Sequence, residues 1–344
     1  MAGGRKSGRR GEGPTVADVA RAAGVSPMTV SRVVNRQTGI APPTRAKVEA
    51  AIAQLRYVPN LAARRLAGRG PCRLALLHDN PSAAFMTELL IGSLDAARAQ
   101  DAELLIEFYD PEEPTEAVCE RLRGHRIEGL LLPAPLCDDR DLVEALRDGG
   151  FAIARIAATR PIPETIAVEI DNEAATHAMT AHLIALGHRR IGFIAGPPGH
   201  HCSALRVAGY VRALAEAGLP FDPACVVTGD FTYRSGLATS EALLALTPPP
   251  SAIFASNDDM AAAAVASAYR RHLGVPDDLS ICGFDDTAMA RSIWPEITTI
   301  RQPAAEMARR AALLLIAQLR GGGGATVLRL DFELLRRASD APPP

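Results

Sequence analysis

Between residues 15 and 55 apolar positions recur every three to four residues, the period of an α-helix with one face turned inward. Val16, Val19, Ala20 and Ala23 form one stripe, Val30, Val33 and Val34 a second, and Val48, Ile52 and Leu55 a third. The punctuation agrees with the period. Thr15 followed by Asp18 is a capping-box start, in which hydroxyl and carboxylate satisfy the first unpaired N–H groups of a helix. Gly24 ends that helix as a left-handed cap would, and Ser26 with Pro27 opens the next. Two short helices across a tight glycine-containing turn, the second running to about Asn35, make the helix-turn-helix pattern. A third helix over 44–55 completes a small core. Any three-helix bundle has the same periodicity, so pattern alone leaves that plainer reading open.

After Pro71 the pattern changes to short, continuously apolar runs alternating with helical segments. Strands are predicted at 74–77, 104–108, 129–132 and 152–156, and a second set at 191–195, 226–228, 252–255 and 279–283. Apolar strands separated by helices imply parallel sheets covered on both faces, and two successive sets imply two lobes of similar build. Such sheets bind ligands beyond the carboxyl ends of their strands, so a cleft between the lobes is the expected site.

Charge sharpens the division. Of the 344 residues, the first 70 hold 13 Lys and Arg against 3 Asp and Glu, and the rest hold 24 against 36. A basic head on an acidic body expects a polyanion at the head alone. Residues 1–13 read as a disordered basic tail, and beyond Pro14 the charges sit among patterned apolar positions. The six cysteines are scattered, with no Cys-x-x-Cys spacing, and read as reduced thiols. No apolar run approaches a membrane span, and the basic N-terminus lacks the apolar stretch of a signal peptide, so a cytoplasmic, nucleoid-associated protein is expected.

The residues of the head go further than their period. Thr15-Val-Ala-Asp-Val-Ala20, Gly24-Val-Ser-Pro-Met-Thr-Val-Ser-Arg-Val-Val-Asn35, Tyr57-Val-Pro-Asn60 and Ala62-Ala-Arg-Arg-Leu-Ala-Gly68 closely resemble the lactose/galactose repressor (LacI/GalR) family of bacterial transcriptional regulators. The resemblance implies a recognition helix in the major groove and, after Tyr57-Val-Pro-Asn60, a hinge helix in the minor groove. By position, Leu66 is the hinge wedge that unstacks a base step, with Ala63 packed beside it; the kink costs energy that added contact offsets. Arg32 either grips a guanine edge with two hydrogen bonds or contacts a phosphate. Thr29, Ser31 and Asn35 are expected to position the helix on phosphates, and Thr15, Ser26, Thr44, Tyr57 and Asn60 match backbone-contacting positions of the family. Pro27 and Met28 stand where many relatives read bases with polar side chains, so no relative's operator sequence transfers. Arg64, Arg65 and Arg69 fit either phosphate walls or a solvated linker.

The body resembles the family's effector domain, which shares its fold with periplasmic sugar-binding proteins. The matching pieces are Asn80-Pro-Ser-Ala-Ala-Phe85, Leu186-Gly-His-Arg-Arg-Ile-Gly192, Ser203-Ala-Leu-Arg206, Ala255-Ser-Asn-Asp258 and Gly283-Phe-Asp285. They imply that Arg206, Asn257 and Asp285 line an effector pocket, where a planar guanidinium with carboxylate and amide groups suits vicinal hydroxyls or a heterocycle edge. Phe85 and Phe231 either stack on a ring's apolar face or pack in the core. Asn80 and Ser82 are placed on the same rim, Asp171 is either a pocket acceptor or a helix cap, and Asp258 is expected to be structural.

The expected organisation is therefore an all-α head at 14–59, a hinge at 60–70, and a two-lobed α/β domain with parallel sheets at 71–340. Its first lobe takes 71–170 and 301–325, and its second 171–300 and 326–340, with crossings near Ile170, Ile300 and 321–325. The expected function is repression of carbohydrate-utilisation genes by a dimer on a pseudo-palindromic operator, under control of a sugar; a nucleobase or nucleoside corepressor is the alternative. No leucine heptad marks a tetramerising tail. An enzyme reading finds no Gly-x-Ser-x-Gly elbow, no Walker loop and no Gly-x-Gly-x-x-Gly turn. His200-His201-Cys202 offers neighbouring side chains that cannot easily share one metal, and no cofactor is expected. A secreted sugar-binding protein is the last rival; the head argues against it.

Overall fold

The computed structural model describes residues 14–34, 39–55, 57 and 71–344, which divide into two compact units at Pro71 and Cys72. In the first unit, α1 (Val16–Ala23), α2 (Pro27–Val34) and α3 (Pro42–Leu55) enclose Val19, Val30 and Val48, all fully buried. Each such side chain contributes roughly 1.5–3 kcal/mol by leaving water. The capping box forms as expected: the Asp18 N–H donates to the Thr15 hydroxyl, and the Asp18 carboxylate accepts from the Thr15 N–H at 2.9 Å. Gly24 takes φ +66, a left-handed turn in which its N–H closes α1 while the chain redirects into α2. Ser26 then caps α2 by accepting from the Thr29 N–H at 3.1 Å. The expected hinge residues Asn60, Ala63 and Leu66, and the end of the recognition helix at Asn35, lie outside the described residues.

The second unit holds two six-stranded sheets. One is built from β1 (Arg73–His78), β2 (Glu103–Phe108), β3 (Gly129–Pro133), β4 (Ala152–Ile156), β5 (Ile166–Glu169) and β11 (Thr326–Arg329). The other comprises β6 (Ile191–Ala195), β7 (Val226–Thr228), β8 (Ala252–Ala255), β9 (Ser280–Asp285), β10 (Thr298–Arg301) and β12 (Glu333–Leu335). Their orders, β2-β1-β3-β4-β5-β11 and β7-β6-β8-β9-β10-β12, are the same arrangement twice. All pairings are parallel except β10 with β12. Strands β3, β6, β8 and β9 are buried at every position, as a sheet covered on both faces requires.

The covering helices are α4 (Ala83–Ala99), α5 (Thr115–Gly124), α6 (Arg140–Asp148) and α12 (Ala304–Leu319) on the first sheet's lobe. On the second are α7 (Asn172–Leu186), α8 (His201–Glu216), α9 (Tyr233–Leu244), α10 (Asp258–Arg270) and the short α11 (Ala288–Ser292). All eight strands expected from apolar runs are present. The four unexpected ones, β5, β10, β11 and β12, are three or four residues long. One of them corrects the third crossing. Because β11 pairs in parallel with β5, the chain stays in the first lobe through Arg329, and the crossing falls between β11 and β12 rather than at 321–325.

Candidate DNA-recognition face and effector cleft

On the head, the buried side of α2 is Val30 and Val33, which leaves Pro27, Met28, Ser31 and Arg32 along the opposite side at helical spacing. Met28 is 62 % exposed and Arg32 is exposed. The hydroxyls expected at phosphates are already engaged within the head: Thr15 Oγ1 donates to Asp18 at 2.7 Å, and Ser26 Oγ and Thr29 Oγ1 share a 2.9 Å hydrogen bond. What these caps expose is the start of each helix, where unpaired N–H groups and the dipole favour an anion. Thr44 stands in the first turn of α3. Tyr57 differs from expectation in emphasis, since its ring packs into the head's core at 8 % exposure.

In the body, a cavity opens between the lobes, lined by residues of both. Nearly every strand delivers one residue to it just past its carboxyl end: Asn80 and Ser82 after β1, Ala134 after β3, Ala157 after β4, Asn172 after β5, and from the second lobe His200, Phe231, Asn257, Asp285 and Gln302. Phe85 and Arg206 enter from α4 and α8. Seven of the eight sequence-selected residues thus meet in one place.

The eighth does not. Asp171 caps α7, accepting from the Ala174 N–H at 2.9 Å, and its neighbour Asn172 faces the cavity instead. Asn172, His200 and Gln302 were not singled out for the pocket. In sequence His200 reads only beside His201 as a metal ligand, and Gln302 follows β10, a strand with no apolar run to mark it.

Arg206 is the hub. Its Nε donates to Asn172 Oδ1 at 2.9 Å, Nη1 donates to the Ser256 carbonyl, and the guanidinium lies 3.6 Å from the centre of the Phe284 ring. Nη2 stands 4.0 Å from Asp285 Oδ1, which also accepts from Gln302 Nε2. Burial pushes the Asp285 carboxyl up to about 7, with Arg206 and Gln302 opposing. Behind it, burial and the Asp285 charge push the Asp258 carboxyl up as well, against hydrogen bonds from Thr299 and Thr287. Burial lowers the His200 pKa, assisted by the Arg206 charge.

Asn257 is less available than its position implies: Oδ1 caps α10 through the Met260 N–H at 3.0 Å, and Nδ2 donates to the Phe231 carbonyl at 2.8 Å. That bond holds Phe231 at φ +66, a conformation costly for an aromatic residue; Ala157 and Asp285 are also at positive φ. Gly196 makes the room, since a Cβ there would fall 2.1 Å from the Phe231 ring. Two hydrogen bonds cross between the lobes, Ser82 Oγ to Asp259 Oδ2 at 2.8 Å and Thr159 Oγ1 with His201 Nδ1 at 2.8 Å. Donors, acceptors and two flanking rings thus surround a cavity that suits a polar, ring-shaped ligand. The described residues include no group of His, Cys, Asp and Glu arranged to hold a metal ion, and no helix among them is long and apolar enough to cross a membrane.

Comparison with known proteins agrees with both halves. Residues 15–60 match the family model for bacterial regulatory proteins of the lacI family, and residues 180–339 match a periplasmic binding protein-like domain. The chain is 35% identical over 334 residues to the HTH-type transcriptional regulator CelR of Thermobifida fusca, covering 95% of this chain and 98% of that one. It is 34% identical over 305 residues to catabolite control protein A of Priestia megaterium, covering 88% and 91%. Among solved structures it is similar to a CelR–cellobiose complex (TM-score 0.72, 31% identity, 95% and 99% covered) and to the lac repressor dimer bound to operator and the anti-inducer ONPF (TM-score 0.77, 27% identity, 96% and 100% covered). The chain belongs to the lacI family of bacterial regulatory proteins, and it is a DNA-binding transcriptional regulator rather than an enzyme.

Proposed function

We propose that the protein is a cytoplasmic, nucleoid-associated repressor of carbohydrate-utilisation genes, acting as a homodimer on a pseudo-palindromic operator, with a sugar in the inter-lobe cleft setting its operator affinity. What supports the sugar reading is one cluster: Arg206, Asn172, Asp285 and Gln302 converge in a cavity also lined by Phe85 and Phe231, at the carboxyl ends of two matched sheets. Planar donors and paired acceptors suit vicinal hydroxyls, and aromatic rings suit the apolar face of a pyranose. The cellobiose held by the similar CelR complex and the operator-bound dimer of the lac repressor support the same reading. Pro27, Met28 and Arg32 form the base-reading face, with Thr15, Ser26, Thr29, Ser31, Asn35, Thr44, Tyr57 and Asn60 at phosphates and Ala63 and Leu66 in the minor groove.

Control then follows from differential affinity. A ligand that prefers one lobe geometry shifts the population of operator-competent dimers, and shifts it only as far as its preference extends. The test is to select a duplex from a random pool with the full-length protein, then titrate sugars and nucleosides against the complex by fluorescence anisotropy. Release or tightening by a sugar alone is the expected result. A response confined to nucleosides, or no preference for any duplex over random competitor, overturns the proposal.

A further inference from the structure

The two hydrogen bonds that cross between the lobes join different pairs of strands. Ser82 follows β1 and meets Asp259 in the first turn of α10, after β8; Thr159 follows β4 and meets His201 at the start of α8, after β6. Because β3 lies between β1 and β4, the two attachments start from strands about 10 Å apart, at roughly 4.8 Å per strand. The effector cavity is lined by their chain neighbours: Ala157 two positions before Thr159, His200 beside His201, and Asn257 two before Asp259. Each attachment is preset on the first lobe. The buried Ser82 hydroxyl caps α4 by accepting from the Phe85 N–H at 3.3 Å, and its proton goes to Asp259 Oδ2 at 2.8 Å. The Thr159 hydroxyl gives its proton to Asp138, whose carboxylate also accepts from the Thr159 and Arg160 N–H groups and lies 3.7 Å from the buried Arg155 guanidinium. Thr159 Oγ1 therefore has only a lone pair to offer, and His201 Nδ1–H is the donor at 2.8 Å. Parting the lobes breaks one hydrogen bond at each point and leaves the cap of α4 and the Asp138 cluster intact.

We propose that Ser82–Asp259 and Thr159–His201 are paired latches by which the body itself favours the closed cleft, and so sets the protein's affinity for its operator with no effector bound. The operator clause rests on the function proposed above; the latches themselves do not. Each hydrogen bond is expected to count for a factor of roughly 2 to 10 in the ratio of closed to open body. Both bonds form and break with the same motion, so the two factors multiply. An effector then works with or against that bias rather than on an indifferent hinge.

Thr159→Val removes the hydroxyl that receives His201, and Asp259→Ala the carboxylate that receives Ser82. Thr159→Ser and Asp259→Asn keep an oxygen acceptor at each point. Hydrogen exchange of the full-length protein, followed by mass spectrometry, needs neither DNA nor effector and reports opening locally. Thr159→Val is expected to quicken exchange two- to tenfold in the peptides carrying Phe85 and Met260, which lie beside the other latch. Asp259→Ala should do the same for those carrying Thr159 and Ser203, and the two conservative variants should stay near the parent. Exchange that quickens only beside the substituted residue, or conservative variants as loose as the broken ones, overturns the latches. On a duplex selected from a random pool, both broken variants are expected to shift affinity two- to tenfold in the same direction. Opposite shifts, or none, overturn the link to the operator and leave the regulator reading standing. A parent without preference for any duplex overturns that reading instead, and exchange alone then decides the latches.

Discussion

The head and the body keep their functional groups in opposite ways. The head buries a few valines and leaves Met28 and Arg32 in water, so the face proposed to read DNA is simply the side of α2 that the core does not use. The body buries its functional groups: Arg206 is 5% exposed and Asp285 8%, and Ala157, Phe231 and Asp285 itself hold positive φ. In the head, recognition and folding lie on different sides of one helix and can be altered separately. In the body the side chains proposed to meet the ligand also hold the cleft together, so each change there is expected to be felt twice.

The largest expected effect breaks that double role. Arg206→Ala removes the hub from Asn172, Ser256 and Asp285, and effector affinity is expected to fall by roughly 100-fold, the equivalent of about 3 kcal/mol. Operator binding by the same variant is expected to stay within about twofold of the parent, measured by anisotropy. An equal collapse of operator affinity would show that Arg206 holds up the whole protein rather than the cleft. Arg32→Ala is the complementary change. It should weaken binding to the selected duplex by roughly 10- to 100-fold, as the loss of one bidentate base contact implies, and leave nonspecific DNA and effector affinity alone. Uniform weakening on all sequences would reassign Arg32 to a phosphate.

The same contrast governs what could be read from the chain. The head was legible because its signals are local: Thr15, Asp18, Gly24 and Ser26 act within a few residues, and the valine stripes repeat the helical period. In the body eight of the twelve strands were visible as apolar runs, and motif resemblance brought seven pocket residues together. What stayed hidden depends on topology. Gln302 reaches the cavity only because β10 lies beside β9, and Asn172 rather than Asp171 faces it because the cap turns one side chain back onto α7. Ser82 and Asp259 are 177 positions apart, and nothing local foretells their hydrogen bond across the lobes.

A smaller effect separates the two roles of Asp285 by their response to pH. Its value of about 7 in the folded body lies above the ordinary 3.8, so the folded state holds a proton that the unfolded chain releases between those limits. The stability this contributes is complete below pH 3.8 and is lost as the pH rises through about 7, and Asp258 acts in the same direction. Effector affinity should run the other way. A carboxylate accepts a sugar hydroxyl more strongly than a neutral acid does, so affinity should rise roughly tenfold from pH 6 to 8, about one pKa unit's worth. Calorimetry over that range checks it, and Asp285→Asn should flatten the profile. A profile that stays steep in Asp285→Asn assigns the titration elsewhere.

The smallest effect tests whether the two compact units unfold independently. Gly24 is left-handed, and a Cβ there meets nothing within 4 Å, so Gly24→Ala adds no clash and carries only the conformational cost of a left-handed alanine, about 1 kcal/mol. In a domain of the head's size that lowers the melting temperature by roughly 4–8 °C. Gly24→Asn should lose less, because asparagine tolerates this conformation better. Followed by calorimetry on the full-length protein, the head's transition should move and the body's should not, because the α1–α2 turn lies within the head's own compact unit. If both transitions shift together, the valine core of the head is not a separate folding unit, and substitutions on α2 can no longer be interpreted as changes in DNA recognition alone.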